Sequence, residues 1–217
     1  LASFLARVQY SYKSKYMFSA AIRADGSSRF GKNNRWGYFP SVSAAWRISG
    51  EDFMSNTKGW LTDLKLRASY GMTGNFQIGN YTHLSTMDTD NYILGSGNGK
   101  ETSGYKPTGV ENPDLTWEKT GMANVGIDAN FLNGYITLTA EYYNSMTTDM
   151  LLNVPIPHLT GYSTTLMNIG KVNNRGVELQ IGSSHSYENG LGYSFNANFA
   201  KNINEVKALG ANDTPII

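Results

Sequence analysis

Reactive side chains in this 217-residue sequence are scattered, and none falls into a catalytic spacing. Gly95-Ser96-Gly97-Asn98-Gly99-Lys100-Glu101 has the glycine content of a loop whose backbone N–H groups could cradle a phosphate. Its lysine, however, is followed by Glu101 where a magnesium-binding Ser or Thr is needed, the leading glycine is misplaced, and no apolar helix follows. A plain Gly/Ser/Asn loop is the better reading. His83, His158 and His185 lie far apart with no i,i+4 partner, and there is no cysteine, so no metal-ligand set is expected. Glu51-Asp52 is a carboxylate pair in a connecting segment, and no serine occupies a Gly-x-Ser-x-Gly elbow. No catalytic residue and no cofactor are expected. Two other sets suggest binding. Tyr81, Tyr92 and Tyr105 lie in a long Gly/Asn-rich stretch, and a tyrosine ring offers a flat apolar body with a hydroxyl handle, suited to a sugar ring; packing of that stretch on itself is the competing use. Arg7, Arg23, Arg47, Arg67, Glu141 and Glu178 all fall on the polar side of alternating segments, where they would line a wet surface.

Composition narrows the class that must position these residues. Lys and Arg total 18 against 17 Asp and Glu, which leaves no basic excess for a nucleic-acid surface. Charged residues are only 16% while aromatics reach 12%, with 14 Tyr and 23 Gly. No apolar run approaches the roughly 18 residues of a membrane helix. A Tyr/Gly/Asn-rich chain of low charge suits β-structure, including strands whose apolar side chains face lipid.

Alternation with period two predicts about eight strands. In 16–23, Tyr16, Phe18, Ala20 and Ile22 oppose Met17, Ser19, Ala21 and Arg23. In 40–48, Pro40, Val42, Ala44, Trp46 and Ile48 oppose Ser41, Ser43, Ala45 and Arg47. The segments 4–10, 64–70, 123–129, 136–142, 177–181 and 193–199 repeat the pattern, and every charge in them lies on the polar parity. A soluble antiparallel sheet would alternate too, so three further features separate lipid from core. The strands around 116–131 and 135–148 meet the roughly 9–11 residues of a tilted membrane strand. Aromatics such as Tyr10, Tyr12, Tyr16 and Phe18, or Phe131 and Tyr135, flank tight turns as interfacial girdles do. Short turns at Lys13-Ser14, Leu132-Asn133-Gly134 and Glu188-Asn189-Gly190 alternate with long loops near 26–37, 74–115 and 150–168, the asymmetry of outer-membrane barrels. Ser49 and Asp52 are spaced like a capping box, predicting a short helix on the turn side.

Several strings then become familiar. Arg23-Ala24-Asp25-Gly26-Ser27-Ser28-Arg29-Phe30-Gly31 with Trp36-Gly37-Tyr38-Phe39-Pro40, then Leu64 to Gly71 followed by Gly74-Asn75, Asn112-Pro113-Asp114-Leu115-Thr116-Trp117-Glu118, and Asn173-Asn174-Arg175-Gly176-Val177-Glu178-Leu179 resemble, in order, the C-terminal half of SusC/RagA-type TonB-linked outer-membrane proteins. The resemblance implies an all-β, antiparallel transmembrane β-barrel of about 22 strands closed around a plug. It implies import of glycans, sometimes peptides, driven by the inner-membrane TonB complex and lidded by a SusD-like surface lipoprotein, with outer-membrane lipid around the barrel. With no plug segment and an ending of Thr214-Pro215-Ile216-Ile217 in place of an aromatic, residues 1–217 are expected to be an interior piece of such a barrel. Asp25-Gly26-Ser27-Ser28 and Asn112-Pro113-Asp114 also have the chemistry of turns and strand starts, so an architectural role is expected for them. A siderophore or vitamin receptor and a soluble β-sandwich remain the alternatives.

Overall fold

The computed structural model describes residues 1–95, 99–188 and 190–209. Parts of the Gly95–Glu101 loop and of the Glu188-Asn189-Gly190 turn, and the whole 214–217 ending, lie outside these residues. Ten strands form: β1 (Ala2–Tyr12), β2 (Tyr16–Gly26), β3 (Trp36–Arg47), β4 (Leu61–Asn75), β5 (Met87–Leu94), β6 (Lys100–Pro107), β7 (Glu118–Phe131), β8 (Ile136–Pro155), β9 (Thr164–Ser186) and β10 (Gly192–Ala208). Eight make one sheet in the order β1-β2-β3-β4-β7-β8-β9-β10, each antiparallel to the next, and β5 and β6 form a separate hairpin within the 76–117 connection. This is an up-and-down meander, the connectivity from which closed antiparallel barrels are built.

The register keeps each parity on one side. Val42 stands between Ala20 and Tyr70, while Ser43 stands between Ser19 and Ser69. Among the described residues nothing covers the apolar rows: Phe18, Ile22, Val42, Leu66, Val125, Val177 and Phe199 range from 40% to 59% exposed. The molecule exposes 14751 Å², against about 9,900 Å² for a compact monomer of this mass. On β3 the outward row runs from Trp36 to Trp46. Ten residues at about 3.3 Å each, tilted roughly 40°, give about 25 Å, the height of the apolar band of an outer-membrane barrel.

Three connections differ from the sequence reading. The 150–168 stretch is mostly strand, with only 156–163 outside β8 and β9. The 74–115 stretch contains the tail of β4 and the β5–β6 hairpin. Beyond Ile48 two 3₁₀ turns form, at Ile48–Gly50 and Asp52–Thr57, without a side-chain cap. Ser49 is buried and its hydroxyl donates to Asp63 on β4, so it is unavailable as a cap. Lys13 and Ser14 both take positive φ, with Lys15 N–H donating to Tyr12 O, in a three-residue hairpin loop between the paired Tyr12 and Tyr16.

Candidate functional site

The six charged residues singled out above share the face opposite the exposed apolar rows, and most are engaged there. Arg23 pairs with Asp25, which is 2% exposed and also accepts from the Ser3 hydroxyl at 2.6 Å. A diagonal network crosses the middle of the sheet: Arg47 to Asp63 at 2.8 Å, Lys65 and Arg67 each to Asp128 at 3.4 Å, and Arg67 to Glu141 at 2.7 Å. Such half-exposed pairs contribute only about 0–1 kcal/mol each. Their effect is to cancel charge along the wall. Arg7 and Glu178, at the two ends of this arc, make no ion pair among the described residues, and Glu178 stands directly opposite Glu141.

Glycine sets how these side chains lie. In the register Arg67, Gly126 and Glu141 are opposite one another on β4, β7 and β8. A Cβ at Gly126 would come within 2.8 Å of the Arg67 Cζ, so the guanidinium lies flat over the glycine to reach the carboxylate two strands away. Tyr143 lies likewise over Gly176. Beside them, Arg7, Arg23, Ser19, Ser41, Ser43 and Thr120 line a groove of about 490 Å³.

At the long-connection end, pairing between β3 and β4 stops at Ser41↔Gly71, next to Pro40, which has no N–H to donate. An apolar cluster of Phe30, Phe39, Ile78, Leu115 and Trp117 fills the space where the strands part. Phe30, Phe39 and Phe76 meet the Trp117 ring at centroid distances of 5.2, 5.5 and 5.4 Å. Gly74 is required there, because a Cβ would lie 2.0 Å from the Phe39 ring. The neighbouring backbone is tied down by amides: Asn168 donates to Thr116 O and Asp149 O and accepts from Thr116 N–H, and Asn112 donates to Leu166 O. The Asn112–Trp117 string therefore anchors the connection to β8 and β9.

Tyr81, Tyr92 and Tyr105 are 65%, 50% and 74% exposed. They do not form one platform. Tyr92 and Tyr105 have opposite parity in the hairpin, and the Tyr92 ring covers Gly104 of its own hairpin. Tyr81 takes a positive φ of 62° at the loop start. Tyr162, which sequence reasoning missed, donates to Pro107 O at the hairpin base.

A second unforeseen cluster sits at the short-turn end. The Glu51 carboxylate accepts from Tyr16 Oη at 2.6 Å, Trp46 Nε1 at 3.1 Å and Lys15 Nζ at 3.1 Å. These rings stack, Tyr12 on Tyr16 and Tyr16 on Trp46, and the belt continues through Trp60–Phe131 and Tyr135–His185–Tyr187. The hydrogen bonds from Tyr16, Trp46 and Lys15 hold the Glu51 carboxyl down at about 2, from an ordinary 4.5. A depressed pKa contributes stability that is present above about pH 4.5 and is lost as pH falls toward 2. Glu51→Gln is therefore expected to lower the thermal midpoint of the full-length protein at pH 7, with the difference from wild type vanishing as pH falls through that window; a pH-independent difference would contradict the clamp.

Comparison with known proteins gives a consistent picture. The family described as TonB dependent receptor-like, beta-barrel matches residues 2–216. The chain is 40% identical over 213 residues to the TonB-dependent receptor P39 of Formosa agariphila, covering 98% of this chain and 20% of that protein. It is 35% identical over 215 residues to the TonB-dependent receptor SusC of Bacteroides thetaiotaomicron, covering 98% and 21%. Its fold matches the RagAB peptide importer in the closed-closed state with a TM-score of 0.84 and 33% identity, over 96% of this chain and 22% of that one. The chain thus spans about a fifth of the length of these relatives.

Proposed function

Because this chain belongs to the TonB-dependent receptor β-barrel family, we propose that it forms an eight-strand arc in the wall of an outer-membrane transporter for large nutrients. The observation that carries the reading is the two-sidedness of the sheet. One face leaves apolar rows bare between aromatic belts, and the other carries an ion-paired, hydroxyl-rich lining. In lipid every backbone polar group must be paired within the ladder; the register provides this between neighbouring strands of the arc, and the outer edges of β1 and β10 call for partner strands from the rest of a barrel. The charged face is then the lumen wall, the short turns face the periplasm, and the 27–35, 76–117 and 156–163 connections face outward.

Cargo is a glycan, from the family resemblance, or a peptide, as for the RagAB importer. A SusD-like lipoprotein covers the outer mouth, and the TonB complex supplies energy through parts of the protein outside this chain. No catalytic role is proposed. The full-length protein should fractionate with outer membranes, and uptake of its cargo should stop in cells lacking TonB; TonB-independent uptake at an unchanged rate would refute the reading. Within the loop, Tyr105→Ala and Tyr81→Ala are expected to weaken cargo affinity several-fold, by loss of ring contact. Tyr92→Ala should leave affinity unchanged, since that ring is occupied by Gly104. Equal affinity in all three variants, measured by calorimetry on the purified transporter, would remove these tyrosines from the binding site.

A further inference from the structure

Basic residues switch sides along this sheet. In β1 to β4, Arg7, Arg23, Arg47, Lys65 and Arg67 all lie on the lumen parity. In β9 and β10 the order is inverted: Lys171, Arg175 and Lys201 take the parity of the bare apolar rows, and Lys207 follows at the bulge between Val206 and Ala208. Their height is as specific as their side. Arg175 is two residues beyond Val177, the end of the unbroken apolar run Ile181, Leu179, Val177 on β9. Lys201 is two beyond Phe199 on β10, with Ile203 next along the same row. Lys171 and Lys207 lie four to six residues further out, roughly 10–15 Å at the tilt of a barrel strand.

The register sets Arg175 opposite Ile203, and Lys201 opposite Val177. Arg175 and Lys201 are therefore diagonal neighbours, roughly 7–8 Å apart, within joint reach of one anionic group. Both are exposed, and neither has a carboxylate within 4 Å among the described residues. Glu205, the carboxylate on this part of the face, is held by Lys207 at 2.6 Å and is also the diagonal neighbour of Arg175, whose charge it feels. The platform beneath is fixed, with Asn173 5% exposed and donating to Asn144 Oδ1 at 2.7 Å. A plug cannot neutralise these cations, because they point away from the lumen.

The geometry points to a binding site for the phosphorylated headgroup of an anionic glycolipid of the outer leaflet, held by Arg175 and Lys201 and supported by Lys171 and Lys207. Charge complementarity and continuity with the lipid-facing band select this occupant. Arginine offers a phosphate a planar bidentate fork, and the ammonium of Lys201 supplies a second point charge. The headgroup would lie just above the apolar band, where basic side chains can reach it from the barrel wall. This inference rests on the membrane orientation proposed above.

The test uses the full-length protein, isolated from outer membranes in mild detergent, with bound lipid counted by native mass spectrometry after addition of bisphosphorylated lipid A. Wild type should retain the lipid, and Arg175→Ala/Lys201→Ala should weaken retention by roughly an order of magnitude, while its heat-modifiable folded band is unchanged. Arg175→Lys should restore part of the retention, and dephosphorylated lipid A should be held no better by wild type than by the double variant. Equal retention in wild type and double variant would overturn the site. So would comparable binding of inorganic phosphate in the absence of lipid, which would indicate a free-anion site. A change of oligomeric mass with unchanged lipid retention would assign the face to a protein interface and overturn it too. Recovery of the protein outside the outer membrane would instead overturn the transport reading together with this one.

Discussion

Arginine in place of Val42 is expected to cost the barrel about 2–4 kcal/mol, the penalty for a cation on the lipid face near the bilayer midplane. Val42 lies in the outward row of β3 between the Trp36 and Trp46 belts, 46% exposed, flanked by Ala20 and Tyr70. Arginine one residue along, at Ser43, meets Ser19 and Ser69 and the groove that already holds Arg7 and Arg23. The two variants are nearly matched in sequence position, added volume and added charge, and differ only in side. The folded fraction in outer membranes, read as the heat-modifiable band of the full-length protein, should fall sharply for Val42→Arg and stay near wild type for Ser43→Arg. Equal losses would mean that both faces are buried or both are wet, and the barrel reading would not survive.

The second large effect is expected at Trp117. Its ring is 1% exposed and touches Phe30, Phe39 and Phe76 from three separate segments of the chain. Truncation to Ala opens a cavity where β3 and β4 have parted, at a cost of about 3–5 kcal/mol. The loss is local, because the ladder below Ser41↔Gly71 does not depend on this ring. Surface protease should therefore cut Trp117→Ala within 27–35 or 76–117 on intact cells, with the folded barrel band retained. Trp117→Phe should be far milder. The indole N–H is buried without an acceptor, and shedding an unpaired donor offsets part of the lost contact. Resistance of the Ala variant to protease would show that the connections are held by their amide bonds alone.

How much of this could be read from residue order depends on whether side chains meet two environments or one. Where a strand separates an apolar medium from a wet one, alternation is enforced at every position, and all eight wall strands were visible as Tyr16 to Arg23 or Val177 to Ile181. Beyond the apolar rows the two faces no longer differ in polarity. There β8 runs on to Pro155 and β9 starts at Thr164 without alternation, so the sequence reads as loop. The β5–β6 hairpin fails for the same reason: Asp88, Asp90, Asn91, Ser103 and Lys106 are polar on both sides and are paired by backbone alone. Parity alone puts the six charges on one face of the sheet. It does not give their partners, since Arg67 reaching Glu141 spans 74 positions. The Ser49–Asp52 spacing suggested a local cap, and the hydroxyl went instead to Asp63, a competition that only the folded β4 strand creates. Glu51 was dismissed as part of a linker because its three donors come from two other stretches of chain.

Gly126 and Gly176 lie beneath the Arg67 guanidinium and the Tyr143 ring. In the transporter proposed above, the calibre along this arc would consequently be set by residues that have no side chain. Long groups recline against the sheet there, which keeps its relief shallow. A methyl at Gly126 would stand the reclining guanidinium upright without adding a single charge, whereas at Gly176 it would also meet the Lys201 carbonyl oxygen at 2.6 Å; in that transporter, the bore could thus be narrowed from underneath at Gly126, by a substitution that no cargo would ever touch.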